Sequence, residues 1–389
     1  MGAEPDGWRG LRTSTWTRQR RGQTNGREHL WNRSCSGSSP VALLDVVAYA
    51  VDTRAVMTRV AINGFGRIGR NFLRAYLERR PDYDIVAVND LGDLRTMAHL
   101  LEFDSVLGKL SEEVVAGSEA ITVGKHRLRT FSIREPENLP WRELGIDVVV
   151  ESTGRFTKRD QARAHLDAGA GNVVISAVAE DADVMLVTGV NDDAYDPGRH
   201  RIVSNASCTT NCVTPLAKVL HDAFAIERGF MTTVHAYTAS QPILDAPRKD
   251  LRRARAAAIN LIPTTTGATR ALGTIIPELA GKIGAMAIRA PIPVGSIVDL
   301  VVELGRPANR DEVNAAFRSA ADGPLGEILL YADEPLVSTD IVRSPYSCVF
   351  DSQLTMAQDS LVKVFGWYDN EWGYSCRLVD LVERVGSPR

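Results

Sequence analysis

Cys208 has the clearest potential for chemistry in the chain, because hydroxyl-bearing residues surround it in the run SNASCTTNC, residues 204–212. The helical pattern that follows predicts Cys208 at a helix N-terminus, where free N–H groups and the helix dipole lower a thiol pKa and favour thiolate. Cys212, one turn further on, is predicted to face the packed interior. A cysteine is more often a small buried hydrophobic residue than a nucleophile, so a reactive Cys208 needs a partner elsewhere.

His235 lies in the strand-like run TTVHAYT and could supply that partner, since a thiol nucleophile needs a base within hydrogen-bond reach. A lone strand histidine is more often simply packed, so the pattern alone leaves both interpretations open. A disulfide between Cys208 and Cys212 within one helix is geometrically awkward. No second cysteine or histidine pair stands at metal-ligand spacing, so no metal site is predicted.

Three further runs could bind anions. Arg289 stands in the apolar strand pattern GAMAIRAP, where a charge usually needs an anionic partner. The run PTTTGA offers Thr266 and Gly267. The run KDLRRAR offers Arg252, Arg253 and Arg255, most of which are expected to lie on a solvated helix face. Together these residues predict binding of phosphate groups near Cys208.

A glycine pattern near residue 64 predicts a dinucleotide site. The run VAINGFGRIGRN places Gly64, Gly66 and Gly69 between a predicted strand and a predicted helix, which suits a tight turn and close approach to a pyrophosphate. Asp90, 21 residues after Gly69, ends the next strand and can accept hydrogen bonds from ribose hydroxyls. An acid there repels a 2′-phosphate, so NAD is favoured over NADP. The alternative interpretation is that the glycines only form a turn and that Asp90 is a solvated residue at the end of a strand.

The elements around these residues predict an α/β fold. From Met57 onward, continuous apolar strands such as IDVVVEST alternate with helical patterns, which indicates a parallel sheet covered on both faces. After about residue 208, longer strand runs such as SIVDLVVEL follow one another with fewer helices between them. This change predicts a second, more antiparallel α+β domain, and YSCRLVDLVERV predicts a closing helix.

The composition limits the number of domains, the classes of partner and the compartment that are expected. The 389 residues, 44% of them hydrophobic, can bury the cores of two or more domains. A net charge of −3 gives no general attraction to nucleic acid or to a membrane, and neither partner is predicted. The five scattered cysteines predict a reducing, cytoplasmic setting.

Residues 1–56 are Arg-rich, Lys-free and non-periodic, and are predicted to be disordered. The apolar run at 41–51 contains Asp45, follows an unusually long segment for a signal peptide, and is too short to span a bilayer. Met57 directly precedes the first clear strand and is a plausible alternative start.

Seven motifs follow one another between Met57 and Arg389: INGFGRIGR, VVVESTGRFTKR, SNASCTTNC, TTVHAYT, DLRRARAAA, PTTTGA and WYDNEWGYS. By these motifs, this part of the chain resembles phosphorylating glyceraldehyde-3-phosphate dehydrogenase of the NAD-dependent type. The resemblance implies a Rossmann NAD-binding domain at 57–207, completed by a C-terminal helix at 371–389, and a catalytic domain at 208–370. It also implies a homotetramer whose substrates are glyceraldehyde 3-phosphate and inorganic phosphate.

The resemblance assigns roles to individual residues. Cys208 is the implied nucleophile that forms a thioester, and His235 is the implied base. The implied cofactor contacts are Gly64, Gly66, Arg67, Ile68, Asp90, Arg134, Ser176 and Asn370. The implied contacts to the two phosphate groups are Ser207, Thr209, Thr238, Arg253, Thr266, Gly267 and Arg289.

Two stretches depart from the family pattern. RAPIPVGS (289–296) stands where relatives commonly read R-V-P-T-P-N-x-S, and SAV (176–178) where they read S-A-P. Because the arginine and both serines survive, a reshaped loop is expected and not a lost site. Pro247 supports NAD, whereas Ala246 is smaller than the leucine usual in strictly NAD-dependent relatives.

Other functions remain open at this point. Erythrose-4-phosphate dehydrogenase shares the cofactor fold and the Cys-His pair, but lacks the YT after the histidine and the TTTG loop. Aspartate-semialdehyde dehydrogenases use thioester chemistry without SNASCTTNC or WYDNEWGYS. A non-catalytic NAD-binding interaction protein is favoured only by the N-terminal extension.

Overall fold

The computed structural model describes residues 57–387. The segment predicted to be disordered, residues 1–56, lies outside this range. Two large sheets and eight α-helices make up the described part of the chain. No helix within residues 57–387 has the length and apolar character needed to cross a membrane.

Short apolar strands and helices alternate through the first half of the described chain. The strands are β1 Thr58–Asn63, β2 Tyr83–Asn89, β3 Phe103–Asp104, β4 Gly108–Lys109, β5 Val114–Ala116, β6 Ala120–Val123, β7 His126–Phe131, β8 Val148–Glu151, β9 Asn172–Ile175, β10 Val184–Met185 and β11 Ile202–Ser204. The helices are α1 Arg67–Arg79, α2 Leu94–Glu102, α3 Trp141–Leu144 and α4 Arg159–Asp167.

Nine of these strands form one sheet in the order β10-β11-β9-β8-β1-β2-β7-β6-β5, while β3 and β4 pair separately. The strands from β10 to β7 run parallel, and β6 and β5 extend the edge in antiparallel fashion. The chain starts at β1 and builds outward on both sides, so the order reverses between β1 and β8. Open α/β sheets bind ligands at the carboxyl ends of strands at such a reversal.

The second half of the chain builds a different sheet. Its strands are β12 Ile226–Ala236, β13 Ile262–Thr264, β14 Ile283–Ala290, β15 Ser296–Leu304, β16 Leu329–Ala332, β17 Cys348–Asp351, β18 Met356–Gln358 and β19 Leu361–Tyr368. The helices are α5 Cys208–Phe224, α6 Ala268–Ile275, α7 Arg310–Asp322 and α8 Trp372–Gly386. Single 3-10 turns occur at Pro136–Asn138, Asp192–Ala194, Ala257–Ile259, Pro277–Leu279, Ser338–Ile341 and Ser352–Leu354.

The order of this second sheet is β13-β14-β12-β15-β19-β17-β16, with β18 beside β19. Only the β12/β14 and β16/β17 pairs are parallel. Buried and half-buried residues alternate along β15, as expected for a strand with one face on a core. The predicted fold class, a parallel Rossmann sheet followed by a mostly antiparallel α+β sheet, is therefore confirmed.

The last helix returns to the first sheet. Residues of α8 belong to the same buried cluster as Val60 and Phe72. At the end of α8, Thr58 Oγ1 donates to the Gly386 carbonyl at 2.6 Å, and in the middle of the helix Asp380 pairs with Arg79 at 2.6 Å. The chain thus folds back so that α8 packs on α1.

Candidate active site

The first turn of α5 is held by contacts from several elements. Ser207 caps the helix, since its hydroxyl accepts a hydrogen bond from the Thr210 N–H at 3.1 Å. Ala206, just before it, has a φ of 53°, a left-handed conformation that costs about 1 kcal/mol for a residue with a Cβ. The Tyr374 hydroxyl of α8 donates to the Ala206 carbonyl at 3.1 Å and holds this turn. Cys208 therefore occupies a fixed position as the first residue of α5.

The two cysteines have different environments. The Cys208 sulfur lies 3.4 Å from Nε2 of His235, and Cys208 is only partly buried. Cys212 is fully buried, and its sulfur lies 3.5 Å from the Gly366 carbonyl oxygen. Burial raises the pKa of the Cys212 thiol well above its usual range. The predicted separation of one accessible thiol from one buried thiol therefore agrees with the structure.

His235 and Arg289 meet because β12 and β14 pair in register at these two residues. The His235 Nδ1 atom lies 2.7 Å from the Ala236 carbonyl oxygen and 2.6 Å from Arg289 Nη1, and Arg289 also donates to that carbonyl at 3.1 Å. Burial, followed by the Arg289 charge, lowers the pKa of His235 to about 3. The imidazole is therefore neutral near pH 7. The Ala236 carbonyl can only accept a proton from Nδ1, whereas the Arg289 N–H needs the Nδ1 lone pair, so a neutral imidazole satisfies one of these two contacts at a time. In the tautomer with Nδ1–H on the carbonyl, the Nε2 lone pair faces the Cys208 sulfur and can accept its proton.

The thiol itself is less acidic than the sequence predicts. Burial raises the pKa of the Cys208 thiol, and this effect outweighs Arg289 and the Thr209 N–H, which lower it. The expectation of a pKa lowered by the helix terminus is therefore wrong for the chain in this state. The helix position was readable from sequence, but the desolvation depends on packing between distant segments.

Tyr368 organises the floor of the site, although its role could not be predicted. Its buried hydroxyl bridges Thr209 Oγ1 at 2.9 Å and Thr233 Oγ1 at 2.8 Å, and so joins α5 to β12. Its ring stands edge-on to His235, with the ring centres 5.9 Å apart. The motif WYDNEWGYS contains Tyr368, but nothing in that run indicates a partner more than a hundred residues away.

A cavity of about 660 Å³ opens beside the Cys208 sulfur. Its lining includes most of the predicted catalytic and phosphate-binding residues: Ser207, Cys208, Thr209, His235, Arg253, Thr266, Gly267 and Arg289. Thr238 is not part of this lining, and its hydroxyl pairs with Ser240 at 2.9 Å. Four charged residues that sequence reasoning missed also line the cavity, namely Lys158, Glu180, Asp181 and Arg270.

Arg253 is positioned by the segment before α6. Its Nε donates to Thr264 Oγ1 at 2.6 Å, and an Nη2 hydrogen bond reaches the Thr265 carbonyl at 3.2 Å. Arg255, by contrast, pairs with Asp245 at 2.9 Å and does not line the cavity. Of the three arginines that the basic run offers, Arg253 alone lines the cavity.

The glycine loop between β1 and α1 has the geometry of a phosphate cradle. Gly64 has a φ of +95°, and a Cβ at this position would lie 2.6 Å from the Thr153 nitrogen. A Cβ on Gly66 would meet nothing within 4 Å, so a ligand can approach the backbone there. No side chain caps α1, which leaves its first N–H groups available for an anion.

Asp90 follows β2 and borders this loop. Its Oδ2 accepts a hydrogen bond from the Phe65 N–H at 2.6 Å, and its Oδ1 accepts one from the Gly92 N–H at 2.8 Å. A carboxylate therefore stands beside the open glycine at the carboxyl end of β2. The residues present fit a dinucleotide.

The remaining predicted cofactor residues lie on several elements. Arg67, in the first turn of α1, pairs with Asp104 and Glu371, and Ile68 packs against the core. Arg134 is exposed after β7, and the Ser176 N–H donates to the Glu151 carbonyl at 2.9 Å.

Asn370 approaches the site from the second sheet. Its Oδ1 accepts from Ser296 Oγ at 3.0 Å, and Ser296 Oγ in turn accepts from the Ala236 N–H at 3.1 Å. The serine retained in RAPIPVGS thus links Asn370 to the strand of His235.

A parallel sheet with a dinucleotide cradle, joined to a cavity that pairs a thiol with a neutral imidazole and three arginines, defines an NAD-dependent oxidoreductase for anionic substrates. Comparison with known proteins agrees. Residues 58–159 match the family model for the NAD binding domain of glyceraldehyde 3-phosphate dehydrogenase, and residues 207–370 match the model for its C-terminal domain.

Curated relatives cover nearly the whole described chain. Glyceraldehyde-3-phosphate dehydrogenase of Streptomyces coelicolor is 58% identical over 331 residues, 85% of this chain and 98% of the relative. The proteins named glyceraldehyde-3-phosphate dehydrogenase 2 of Streptomyces avermitilis and glyceraldehyde-3-phosphate dehydrogenase of Mycobacterium tuberculosis are each 57% identical, over 330 and 334 residues. These cover 85% and 84% of this chain, and 98% of each relative. The chain belongs to the glyceraldehyde-3-phosphate dehydrogenase family, and its cofactor is NAD.

Proposed function

We propose that this chain oxidises and phosphorylates D-glyceraldehyde 3-phosphate to 1,3-bisphosphoglycerate, with NAD and inorganic phosphate, through a thioester on Cys208. The observation that supports this most strongly is the 3.4 Å approach of the Cys208 sulfur to Nε2 of His235 in a cavity that also contains Arg253 and Arg289. A nucleophile, a base and positive charge for two anions then share one space.

In the first half of the reaction, His235 Nε2 takes the thiol proton and the Cys208 sulfur attacks the aldehyde carbon. The imidazolium returns this proton to the aldehyde oxygen, which gives a neutral hemithioacetal and a neutral His235. The hemithioacetal is oxidised when His235 removes its hydroxyl proton and the hydrogen on carbon departs as hydride, and the carbon remains bound to sulfur as a thioester. NAD, when bound, supplies the hydride acceptor. The base must be neutral before each proton transfer, and the depressed pKa of His235 meets that condition.

In the second half, inorganic phosphate attacks the thioester carbon. The acyl phosphate leaves, and the electron pair of the broken C–S bond returns to sulfur. The protonated His235 and the N–H groups at the start of α5 would stabilise the developing negative charge. Arg289 also favours the thiolate that is released, since its charge lowers the thiol pKa against the effect of burial.

Two groups of residues would hold the ligands. We assign NAD to Gly64, Gly66, Arg67, Ile68, Asp90, Arg134, Ser176 and Asn370. We assign the two phosphate groups to Ser207, Thr209, Thr238, Arg253, Thr266, Gly267 and Arg289. Hydroxyls and backbone N–H groups beside two arginines suit phosphate, because charge-assisted hydrogen bonds to its oxygens are strong and directional.

We propose that the protein acts as a homotetramer in the cytoplasm. An exposed apolar segment between β12 and β13 favours assembly, since Ile243, Leu244 and Leu251 are each more than three-quarters exposed in the single chain. The four cysteines of the described range are all free thiols, which favours a reducing compartment.

The test is NADH formation from glyceraldehyde 3-phosphate with and without inorganic phosphate. We expect turnover to require phosphate and to disappear in Cys208→Ala, with Cys212→Ser as the matched control that keeps most activity. Turnover without phosphate, or equal loss in both variants, would contradict the proposal. A higher kcat/KM for erythrose 4-phosphate would favour that substrate instead.

A further inference from the structure

Two oppositely charged side chains meet at the mouth of the active-site cavity. Arg270, in the first turn of α6, donates from Nε to Glu180 Oε1 at 2.9 Å. Glu180 lies in the segment between β9 and β10 and thus comes from the other sheet. Both side chains line the cavity, yet they are 75% and 54% exposed. The pair therefore stands where the cavity meets solvent.

The charges at this mouth conflict with the charges of the proposed substrates. Glu180 and its neighbour Asp181 are two carboxylates on the rim of a cavity whose substrates are both anions. Like charges at an entrance lower the local concentration of an incoming ligand. On this rim, Arg270 is the side chain that pairs directly with Glu180 and compensates its charge.

Arg270 is close enough to the phosphate-binding loop to act on a ligand. A Cβ on Gly267 would lie 3.8 Å from Arg270 Nη2, so the guanidinium borders the Thr266–Gly267 turn. An exposed ion pair contributes little net free energy, because water competes for both partners. A phosphate group, which offers more charge and bidentate geometry, can therefore displace Glu180 from the guanidinium.

We propose that Arg270 is a specificity-determining residue that binds phosphate-bearing substrates at the cavity mouth, and that Glu180 holds its guanidinium there until the anion arrives. This inference rests on the proposed function, because it requires both substrates to be anions that enter through this cavity. Arg270 exchanges a carboxylate partner for a phosphate partner, so no positive charge is left unpaired in either state.

The experiment uses Arg270→Gln, Glu180→Gln and the double variant in the full chain. Arg163→Gln is the matched control, because Arg163 forms an exposed pair with Asp167 on α4 and does not line the cavity. The KM values for glyceraldehyde 3-phosphate and for inorganic phosphate are measured separately. Unphosphorylated glyceraldehyde serves as the uncharged aldehyde.

We expect Arg270→Gln to raise the KM for both anions about threefold to tenfold, with kcat changed less than about twofold and the KM for glyceraldehyde unchanged. Glu180→Gln lowers both anion KM values about twofold, because it frees the guanidinium and removes a repelling charge. The double variant has anion KM values close to those of Arg270→Gln, because both lack the guanidinium that binds phosphate. Added salt reduces all these differences.

Three results would overturn the inference. They are an unchanged anion KM in Arg270→Gln, an equal rise for glyceraldehyde, or a double variant fully restored to the wild-type KM. The last result would mean that Arg270 only neutralises Glu180. Failure of the proposed function is distinguishable, because wild type and Arg163→Gln would then lack phosphate-dependent NADH formation.

Discussion

Burial and positive charge act on the two reacting side chains in different combinations. For Cys208, burial raises the thiol pKa while the Arg289 charge lowers it. For His235, burial and Arg289 both lower the imidazole pKa. The resting site therefore holds a neutral thiol beside a neutral imidazole, and Arg289 is the group that favours the thiolate while keeping the base unprotonated.

Replacement of Arg289 by glutamine should make the thiol less reactive. Loss of the nearby positive charge is expected to raise the Cys208 pKa, because the Arg289 charge now lowers it. The measurement is the rate of alkylation by iodoacetamide, an uncharged reagent, as a function of pH. Arg253→Gln is the control, since Arg253 lines the same cavity but is not among the main groups that shift the Cys208 pKa. Identical pH profiles for wild type and Arg289→Gln would contradict this view.

The depressed pKa of His235 should also make the free energy of unfolding depend on pH. Between its ordinary value of 6.5 and its folded value of about 3, the unfolded chain binds a proton that the folded chain does not. This contribution to stability is fully present above pH 6.5 and declines as the pH falls toward 3. From about pH 6.5 to about pH 4.5, wild type should lose roughly 2–3 kcal/mol more unfolding free energy than His235→Gln. Urea denaturation at several pH values measures the unfolding free energy of both proteins. An equal loss in wild type and His235→Gln would contradict the prediction.

Sequence reasoning found these residues by chemical type but could not give their protonation states. Cys208, His235 and Arg289 stood out because a thiol, an imidazole and a charge in an apolar strand each need a reason. Tyr368 and Arg270 did not stand out, because a tyrosine in a strand and an arginine on a short helix are ordinary. Their roles depend on partners from distant segments: Tyr368 bonds to Thr209, and Arg270 pairs with Glu180.

A buried polar network connects the ends of β1, β2 and β8 beside the glycine loop. Glu151, at the end of β8, accepts from Asn63 Nδ2 at 2.6 Å and pairs with His165 Nε2 at 3.0 Å. Trp141 Nε1 donates to His165 Nδ1 at 3.0 Å, so the imidazole carries its proton on Nε2. Asn89 completes the network by donating to Asn63 Oδ1 at 2.7 Å. These contacts fix the ends of β1, β2 and β8 around the glycine loop.

Alanine at the two loop glycines should separate a folding effect from a binding effect. Gly66→Ala is expected to keep its melting temperature, since its Cβ enters open space, but to raise the KM for NAD about tenfold or more. Gly64→Ala should lose about 1–2 kcal/mol or more of stability, because its φ is left-handed and its Cβ meets the Thr153 backbone.

Thermal denaturation and NAD titration by fluorescence distinguish the two glycine variants. Loss of stability in Gly66→Ala would contradict the open space at that position. An unchanged NAD affinity in the same variant would contradict the assignment of the cradle.

The sequence predicted those elements whose signal is local. Continuous apolar runs identified β1, β2, β8 and β9, and the start of α5 followed from the helical pattern after Cys208. The apolar run DVMLVTGV, residues 183–190, also has a strand-like pattern, but only Val184 and Met185 join the sheet, as β10. The strand order and the His235–Arg289 register could not be predicted, since they arise from pairing between segments far apart in the chain.

For the whole molecule, the segment between β12 and β13 carries both exposed apolar side chains and an arginine of the cavity. It exposes Ile243, Leu244, Leu251, Ile259 and Leu261 to solvent, each at 68% or more. An isolated chain rarely leaves so many large apolar side chains uncovered on one segment. The same segment carries Arg253, which lines the cavity. A partner subunit that covers the apolar residues would therefore also restrict the position of Arg253.

Glutamate at Ile243 and Leu251 together should weaken the proposed tetramer and, through Arg253, the binding of anions. We expect a smaller particle by light scattering, with a KM for inorganic phosphate raised about threefold to tenfold, because the unrestrained arginine binds phosphate less well. The Cys208–His235 contact is made within one chain, so alkylation of Cys208 should persist. Val115→Glu is the control, since Val115 is also exposed but lies on the edge strand β5, far in sequence from this segment. A variant that stays tetrameric, or a dissociated one with unchanged phosphate KM, would separate assembly from the site.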